Sequence, residues 1–241
     1  AVLASVSDGM GGDASLGLDG YDLPASGTPV GTWADRSGNS RNATQPLPAY
    51  QPTAGDRAVD FSKVASSHLF FQDSSLPSAD HTVLAAYTAA GSSDAPQTLL
   101  STNRGYLQLA ATTQAISYPG APTYQIDGTA IHGYENAAGK AATSVFRRQN
   151  SLLQNILGLS YDGESVATAA IDPVLPTLGA RRSAVANGTA SPVDQVFSGK
   201  IQELIVFPVA LAEQKLRGVN DYLQSKWNSA AVWDFSTNLK D

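Results

Sequence analysis

Between residues 81 and 89 the chain reads His-Thr-Val-Leu-Ala-Ala-Tyr-Thr-Ala, and its alternate positions split into two sets that are both largely apolar. In an extended strand Val83, Ala85, Tyr87 and Ala89 share one face, and Thr82, Leu84, Ala86 and Thr88 share the other. Two apolar faces predict a central strand covered on both sides. Shorter strand-like runs recur at Leu16–Tyr21, Val30–Trp33, Arg57–Phe61 and Ser67–Phe71. Gly199–Phe207 is the strongest late run, and Pro208 ends it because proline cannot donate to a ladder. Asn155–Tyr161 and Glu164–Ile171 flank Asp162-Gly163, a favoured two-residue hairpin turn. The period changes once, over Leu211–Trp227. There Leu216, Val219, Leu223 and Trp227, with Tyr222 beside them, form one helical stripe. Glu213 falls in the first turn, where the helix dipole favours an anion. Many strands followed by one late helix predict an all-β domain with a single C-terminal accessory helix.

Composition sharpens this picture. The 241 residues hold no cysteine, which excludes disulfides, thiolate catalysis and Cys-based metal centres. Charged residues make up 15%, below the ~25% of an average soluble domain. Small and turn-forming residues fill the difference, as a domain of many short strands requires. No stretch approaches the ~18 apolar residues of a membrane span. The first residues carry no basic segment of the signal-peptide kind. A net charge of −6 argues against nucleic acid and anionic membranes, both of which need a basic face. The basic pairs Arg147-Arg148 and Arg181-Arg182 read as solvated strand edges or loops.

Two segments carry a family resemblance. Trp33-Ala-Asp35-Arg-Ser-Gly38-Asn39-Ser-Arg-Asn42-Ala-Thr44-Gln45 resembles the W-x-D-x-S-G-N-x-x-N-A-T-Q segment of concanavalin A-like, laminin-G-like domains. Phe197-Ser-Gly199-Lys-Ile201-Gln-Glu203-Leu-Ile205-Val-Phe207, followed by Tyr222-Leu223-Gln-Ser-Lys226-Trp227, is similar to the closing strand and helix of the same domains. Leu16-Gly-Leu-Asp19 and Arg57-Ala-Val-Asp-Phe61 look like two of their strands, and Ala212 departs from a frequent capping serine. The resemblance implies a concanavalin-like jelly-roll β-sandwich over residues 15–228, with residues 1–14 as an arm and 229–241 as a tail. Trp33 is then expected in the core, with Asp35 and Asn42 tying down their loop through side-chain to backbone bonds. Trp233 and Phe235 in the tail are expected to pack on the sandwich or on a neighbouring subunit.

The inventory for catalysis is thin. Glycosidases of the resembling fold carry Glu-x-Asp-x-x-Glu, because retention needs two carboxyl groups on one strand face. The four glutamates here, Glu135, Glu164, Glu203 and Glu213, have no aspartate two positions later. Asp56 and Asp60 flank Arg57 and lack a matched acid. His68, His81 and His132 are scattered, and the Gln-x-His of sandwich lyases is missing. Gly158-Leu-Ser160-Tyr-Asp162 misses the nucleophile elbow, and Gly133 to Ala141 misses the phosphate-loop spacing. Asp8, Asp13, Asp19 and Asp22 lack a calcium-loop register, so no metal and no cofactor is expected. The expectation from spacing is a chain that is not an enzyme.

Four tyrosines remain as candidate ligand contacts: Tyr106, Tyr118, Tyr124 and Tyr134, in a stretch rich in Gly, Pro and amides. Such rings offer an apolar face and a hydroxyl, as sugar sites and protein interfaces require. The resemblance adds an expected setting. It is a virion module of a tailed phage, on head or tail, in many copies or as a homo-oligomer, contacting other virion proteins, itself or a cell-surface glycan. A secreted or surface lectin-like bacterial adhesin and a diverged polysaccharide hydrolase or lyase are the alternatives.

Overall fold

The computed structural model describes residues 14–71, 76–90, 96–102, 105–109, 122–126, 129–132, 141–157, 160–167, 176–182 and 193–227. The expected tail, and all of the expected arm except Ala14, lie outside these residues. The strands are β1 (Leu16–Asp19), β2 (Thr32–Trp33), β3 (Ala43–Thr44), β4 (Thr53–Ala54), β5 (Val59–Phe61), β6 (Leu69–Phe70), β7 (His81–Ala89), β8 (Gln97–Ser101) and β9 (Gly105–Leu109). They continue as β10 (Pro122–Ile126), β11 (Thr129–His132), β12 (Ala141–Gln149), β13 (Leu152–Leu157), β14 (Ser160–Ala167), β15 (Thr177–Leu178), β16 (Arg181–Arg182), β17 (Val193–Asp194) and β18 (Gly199–Phe207). The helix α1 (Glu213–Trp227) closes the described chain.

Two eight-stranded antiparallel sheets form the body. The first runs β14-β13-β12-β7-β18-β5-β4, and β1 joins β18 beyond β5. The second runs β11-β10-β9-β8-β15-β6-β3-β2. Strand β7 lies between β12 and β18, and its two apolar faces are covered by the inter-sheet core and by α1. Val83, Ala85 and Tyr87 enter the core between the sheets, with Trp33, Phe61, Leu69, Leu107 and Phe146. Leu84 and Ala86 face the other way, onto Leu216, Val219 and Leu223 of α1. The all-β sandwich with one accessory helix is therefore the observed fold.

Strand β18 serves both layers through a bulge. Its pairing with β7 shifts register between Ile201 and Glu203, so Gln202 is the extra residue. An inserted residue reverses the alternation of sides. Ile201, Leu204 and Val206 consequently all enter the inter-sheet core, while Ile205 and Phe207 join the helix side. Without the bulge Glu203 would fall on the inter-sheet face.

Two local expectations need correction. Asp162-Gly163 is not a turn but lies inside β14; the chain reverses between Leu157 and Ser160. Pairing on either side, with Ile156 opposite Tyr161 and Leu153 opposite Val166, holds the strand, and the register shift between them makes Asp162-Gly163 an irregularity within β14. The turn with two positive φ values is instead Asn150-Ser151, at 52° and 64°, between β12 and β13. The Arg147-Arg148 pair is not a solvated edge either, because β12 is internal to its sheet. Arg148 is buried beside Asp80, and Arg147 donates to the carbonyl of Leu211. Arg181 pairs with Asp194 across β16 and β17.

Candidate functional site

The motif loop does what its residue types imply. Asp35 Oδ1 accepts from the amides of Gly17 and Ser37, and Oδ2 accepts from the Arg41 amide and the Ser37 hydroxyl. Asn42 Oδ1 accepts from the Asp35 amide. Trp33 is 1% exposed and donates its indole N–H to the carbonyl of Asp19. This anchors the end of β1, where the chain turns into a 3-10 helix over Gly20–Asp22. A cavity of about 260 Å³ lies beside the loop, lined in part by Asn39, Arg41 and Leu76. Asn39 and Arg41 there donate to the carbonyl of Ser15.

A polar cluster sits at the C-terminal end of α1. Asp19 and Glu203 are direct cross-strand partners on β1 and β18. Lys226 reaches both carboxylates at 2.8 Å and the Tyr222 hydroxyl at 2.7 Å. Trp227 donates its indole N–H to Glu203 Oε2, and the Tyr222 hydroxyl donates to Glu203 Oε1 at 3.2 Å. One ammonium against two carboxylates leaves a net negative charge in a buried place. Burial pushes the Glu203 carboxyl above its ordinary range, and the donors from Lys226 and Trp227 only partly oppose this. Burial likewise pushes the Tyr222 hydroxyl up to about 12. Burial alone would lower the Lys226 ammonium, but its hydrogen bonds to Asp19, Glu203 and Tyr222 hold it above its usual value.

Outside this interior lies a partly solvated rim. Tyr21 is 50% exposed. Its ring lies 5.3 Å from that of Trp227, with Lys226 Nζ 5.1 Å from its centroid. The Arg57 guanidinium lies over Tyr21 at 4.8 Å and donates to its hydroxyl at 3.0 Å. The backbone explains the meeting. A Cβ on Gly20 would stand 2.0 Å from the Arg57 carbonyl oxygen, so only glycine lets this turn lie against the turn between β4 and β5.

The four tyrosines named from sequence are not part of this rim. Tyr106 lies on β9 opposite Gln125, and Tyr124 lies on β10 opposite Leu107, so the two positions alternate in face. Tyr118 and Tyr134 fall outside the described residues. Of the aspartates considered for calcium, Asp19 pairs with Lys226 and Asp22 with Arg36; Asp8 and Asp13 are outside the described residues. Among the described residues no group of His, Asp or Glu is arranged to hold a metal, and no helix is long and apolar enough to cross a membrane. Sequence reasoning missed the rim because Tyr21, Arg57 and Trp227 are far apart in the chain. The available signal was Lys226, a cation beside the helix's apolar stripe.

No protein-family model matches the sequence, and no curated protein matches it. Solved structures do resemble the fold. A Trypanosoma rangeli sialidase in complex with sialic acid matches with a TM-score of 0.56 at 11% identity, over 88% of this chain and 33% of that one. Domain 4 of AbnA, a GH43 extracellular arabinanase from Geobacillus stearothermophilus, in complex with arabinotriose, matches at 0.51 and 13% identity, over 86% and 98%. A GH54 α-L-arabinofuranosidase matches at 0.54 and 12% identity, over 90% and 60%. The chain thus spans about a third of the sialidase and less than two thirds of the arabinofuranosidase. Identities this low speak for the fold.

These structures overturn the expectation that the chain is not an enzyme, because sandwiches of the same trace occur within sialidase and arabinofuranosidase chains. That expectation rested on spacing along single strands. It could not register carboxylates brought together across strands, as Asp19 and Glu203 are.

Proposed function

We propose that this chain is a carbohydrate-recognising sandwich of the concanavalin-like, laminin-G-like type. The observation that carries the reading is the rim of Tyr21, Trp227 and Arg57: two aromatic rings and a guanidinium held in place by a buried ion cluster. Aromatic surface with fixed polar donors is the usual means of gripping a sugar ring. The arabinotriose-bound domain, whose whole length this fold matches, supports the same class of ligand. Tyr106, Tyr118, Tyr124 and Tyr134 belong to the proposal as further candidate contacts, supported by their Gly- and amide-rich sequence; Tyr106 and Tyr124 occupy opposite faces of their sheet and would act separately.

Titration with arabinotriose and a panel of matched oligosaccharides tests it. Tyr21→Ala should weaken binding about tenfold while the melting curve stays cooperative. Loss of binding in Tyr106→Ala or in Tyr124→Ala, made singly, with none in Tyr21→Ala would move the site to that tyrosine's face of the sheet. Placement on a virion or bacterial surface, in many copies, is a further part of the proposal and rests on the motif resemblance. Mass spectrometry of purified particles and cell envelopes tests that part.

A diverged polysaccharide hydrolase is the second reading. The paired carboxylates Asp19 and Glu203 favour it, with burial raising the Glu203 carboxyl, the direction a general acid needs. Their enclosure under Lys226 and Trp227 opposes it. Reducing-end release that disappears in Glu203→Gln would decide for hydrolysis.

A further inference from the structure

Arg57 differs from the other cations of its neighbourhood. Lys226 is neutralised by Asp19 and Glu203, and Arg36 by Asp22. Among the described residues, Arg57 is exposed and has no carboxylate partner; its contacts are the ring and hydroxyl of Tyr21. Its backbone is held at φ 52°, and it is the one charged residue among the described non-glycine positions with positive φ. A left-handed non-glycine residue is strained, and such strain persists only where the surroundings enforce it. Here they do: the glycine turn at Gly20 lies against the Arg57 carbonyl, and Tyr21, the next residue, lies under the guanidinium. The fork is therefore pre-positioned on an aromatic ring, which limits the side-chain freedom lost when it binds.

We propose that the Arg57–Tyr21–Trp227 rim selects acidic sugars, with the guanidinium of Arg57 taking the sugar carboxylate and the aromatic rings taking its apolar face. This rests on the carbohydrate reading above and adds the class of sugar. A planar fork matches a carboxylate through two parallel N–H···O bonds, and an ammonium does not. The excess negative charge of the Asp19–Glu203–Lys226 cluster is buried beneath the rim, and the charge that the rim itself exposes is the Arg57 guanidinium, which favours an anion.

The test uses two matched pairs: tetragalacturonate against its methyl ester, and sialyllactose against lactose, each titrated into the full chain. The expected result is binding of at least one acid at about tenfold or more above its neutral partner. That ratio should fall to about one in Arg57→Gln, and most of it should be lost in Arg57→Lys. Raising the salt should weaken the acid and leave the neutral sugar nearly unchanged. Equal affinity within both pairs, or a ratio that survives Arg57→Gln, overturns the acidic-sugar inference while sugar binding itself stands. A full ratio in Arg57→Lys overturns the two-pronged contact. If no sugar of either pair binds, or if Tyr21→Ala changes neither member of a pair, the rim is not a sugar site and the underlying reading fails with it.

Discussion

Both carboxylate oxygens of Asp35 are engaged by backbone and hydroxyl donors from its own loop and from β1. Removing the side chain leaves three backbone amides without their acceptor. Asp35→Ala should therefore lower unfolding stability by roughly 3 kcal/mol, measured by denaturant titration, with Asp35→Asn intermediate. His81 carries a second residue-scale prediction. Burial lowers its pKa from 6.5 to about 4, with its Nδ1 against the Ala79 carbonyl and Arg148 nearby. The folded imidazole is then neutral, while the unfolded one takes up a proton as pH falls below about 6.5. Stability is present above that value and is lost as pH falls towards about 4, for a total of about 3 kcal/mol. His81→Gln should flatten this acid limb in denaturant midpoints taken between pH 7 and pH 4; an unchanged slope would assign the limb to other groups. Asp35 and Asn42 were legible in the sequence because turn residues bond within their own loop, and Trp33 because the motif resemblance places it in the core. His81 was not, because its burial depends on strands distant in the chain.

At the scale of elements, periodicity revealed those whose two faces differ or are both apolar. Strands β7 and β18 and helix α1 appear where the patterns place them, and Pro208 ends β18 as expected. What periodicity cannot reveal is register. The bulge at Gln202 and the Asn150-Ser151 turn follow from pairing with other strands, and both lie outside any single-strand pattern. The cluster at the helix end was hidden for the same reason, since Asp19 and Glu203 meet only once β1 pairs with β18. Two substitutions separate the forces that hold α1. Leu223, fully buried against the first sheet, should cost about 2–5 kcal/mol as Leu223→Ala. Lys226→Met removes the cation shared by two buried carboxylates and should cost about 3–5 kcal/mol near neutral pH. Adding Asp19→Asn and Glu203→Gln should restore part of that loss, because the uncompensated charges then disappear. If the triple variant is as unstable as Lys226→Met alone, the loss comes from packing and not from charge.

At the scale of the whole molecule, the same two strands support both apolar layers. Alternate residues of β7 and β18 enter the inter-sheet core and the helix interface, so neither layer can loosen without disturbing backbone shared with the other. Long-range pairing reinforces this: β18, near the end of the described chain, bonds to β1 and β5 near its start and to β7 between them. Such shared strands predict one cooperative transition and not a separate melting of the helix. The helical far-UV signal and the near-UV signal of buried Trp33 and Tyr87 should then change together on heating or in denaturant. Leu223→Ala should shift both midpoints by the same amount, although Leu223 does not touch the inter-sheet core. Loss of the helical signal ahead of the aromatic one, in the native chain or in Leu223→Ala, would make α1 a separable element. The rim formed by Tyr21, Arg57 and Trp227 would in that case come apart under milder conditions than the sandwich that carries it.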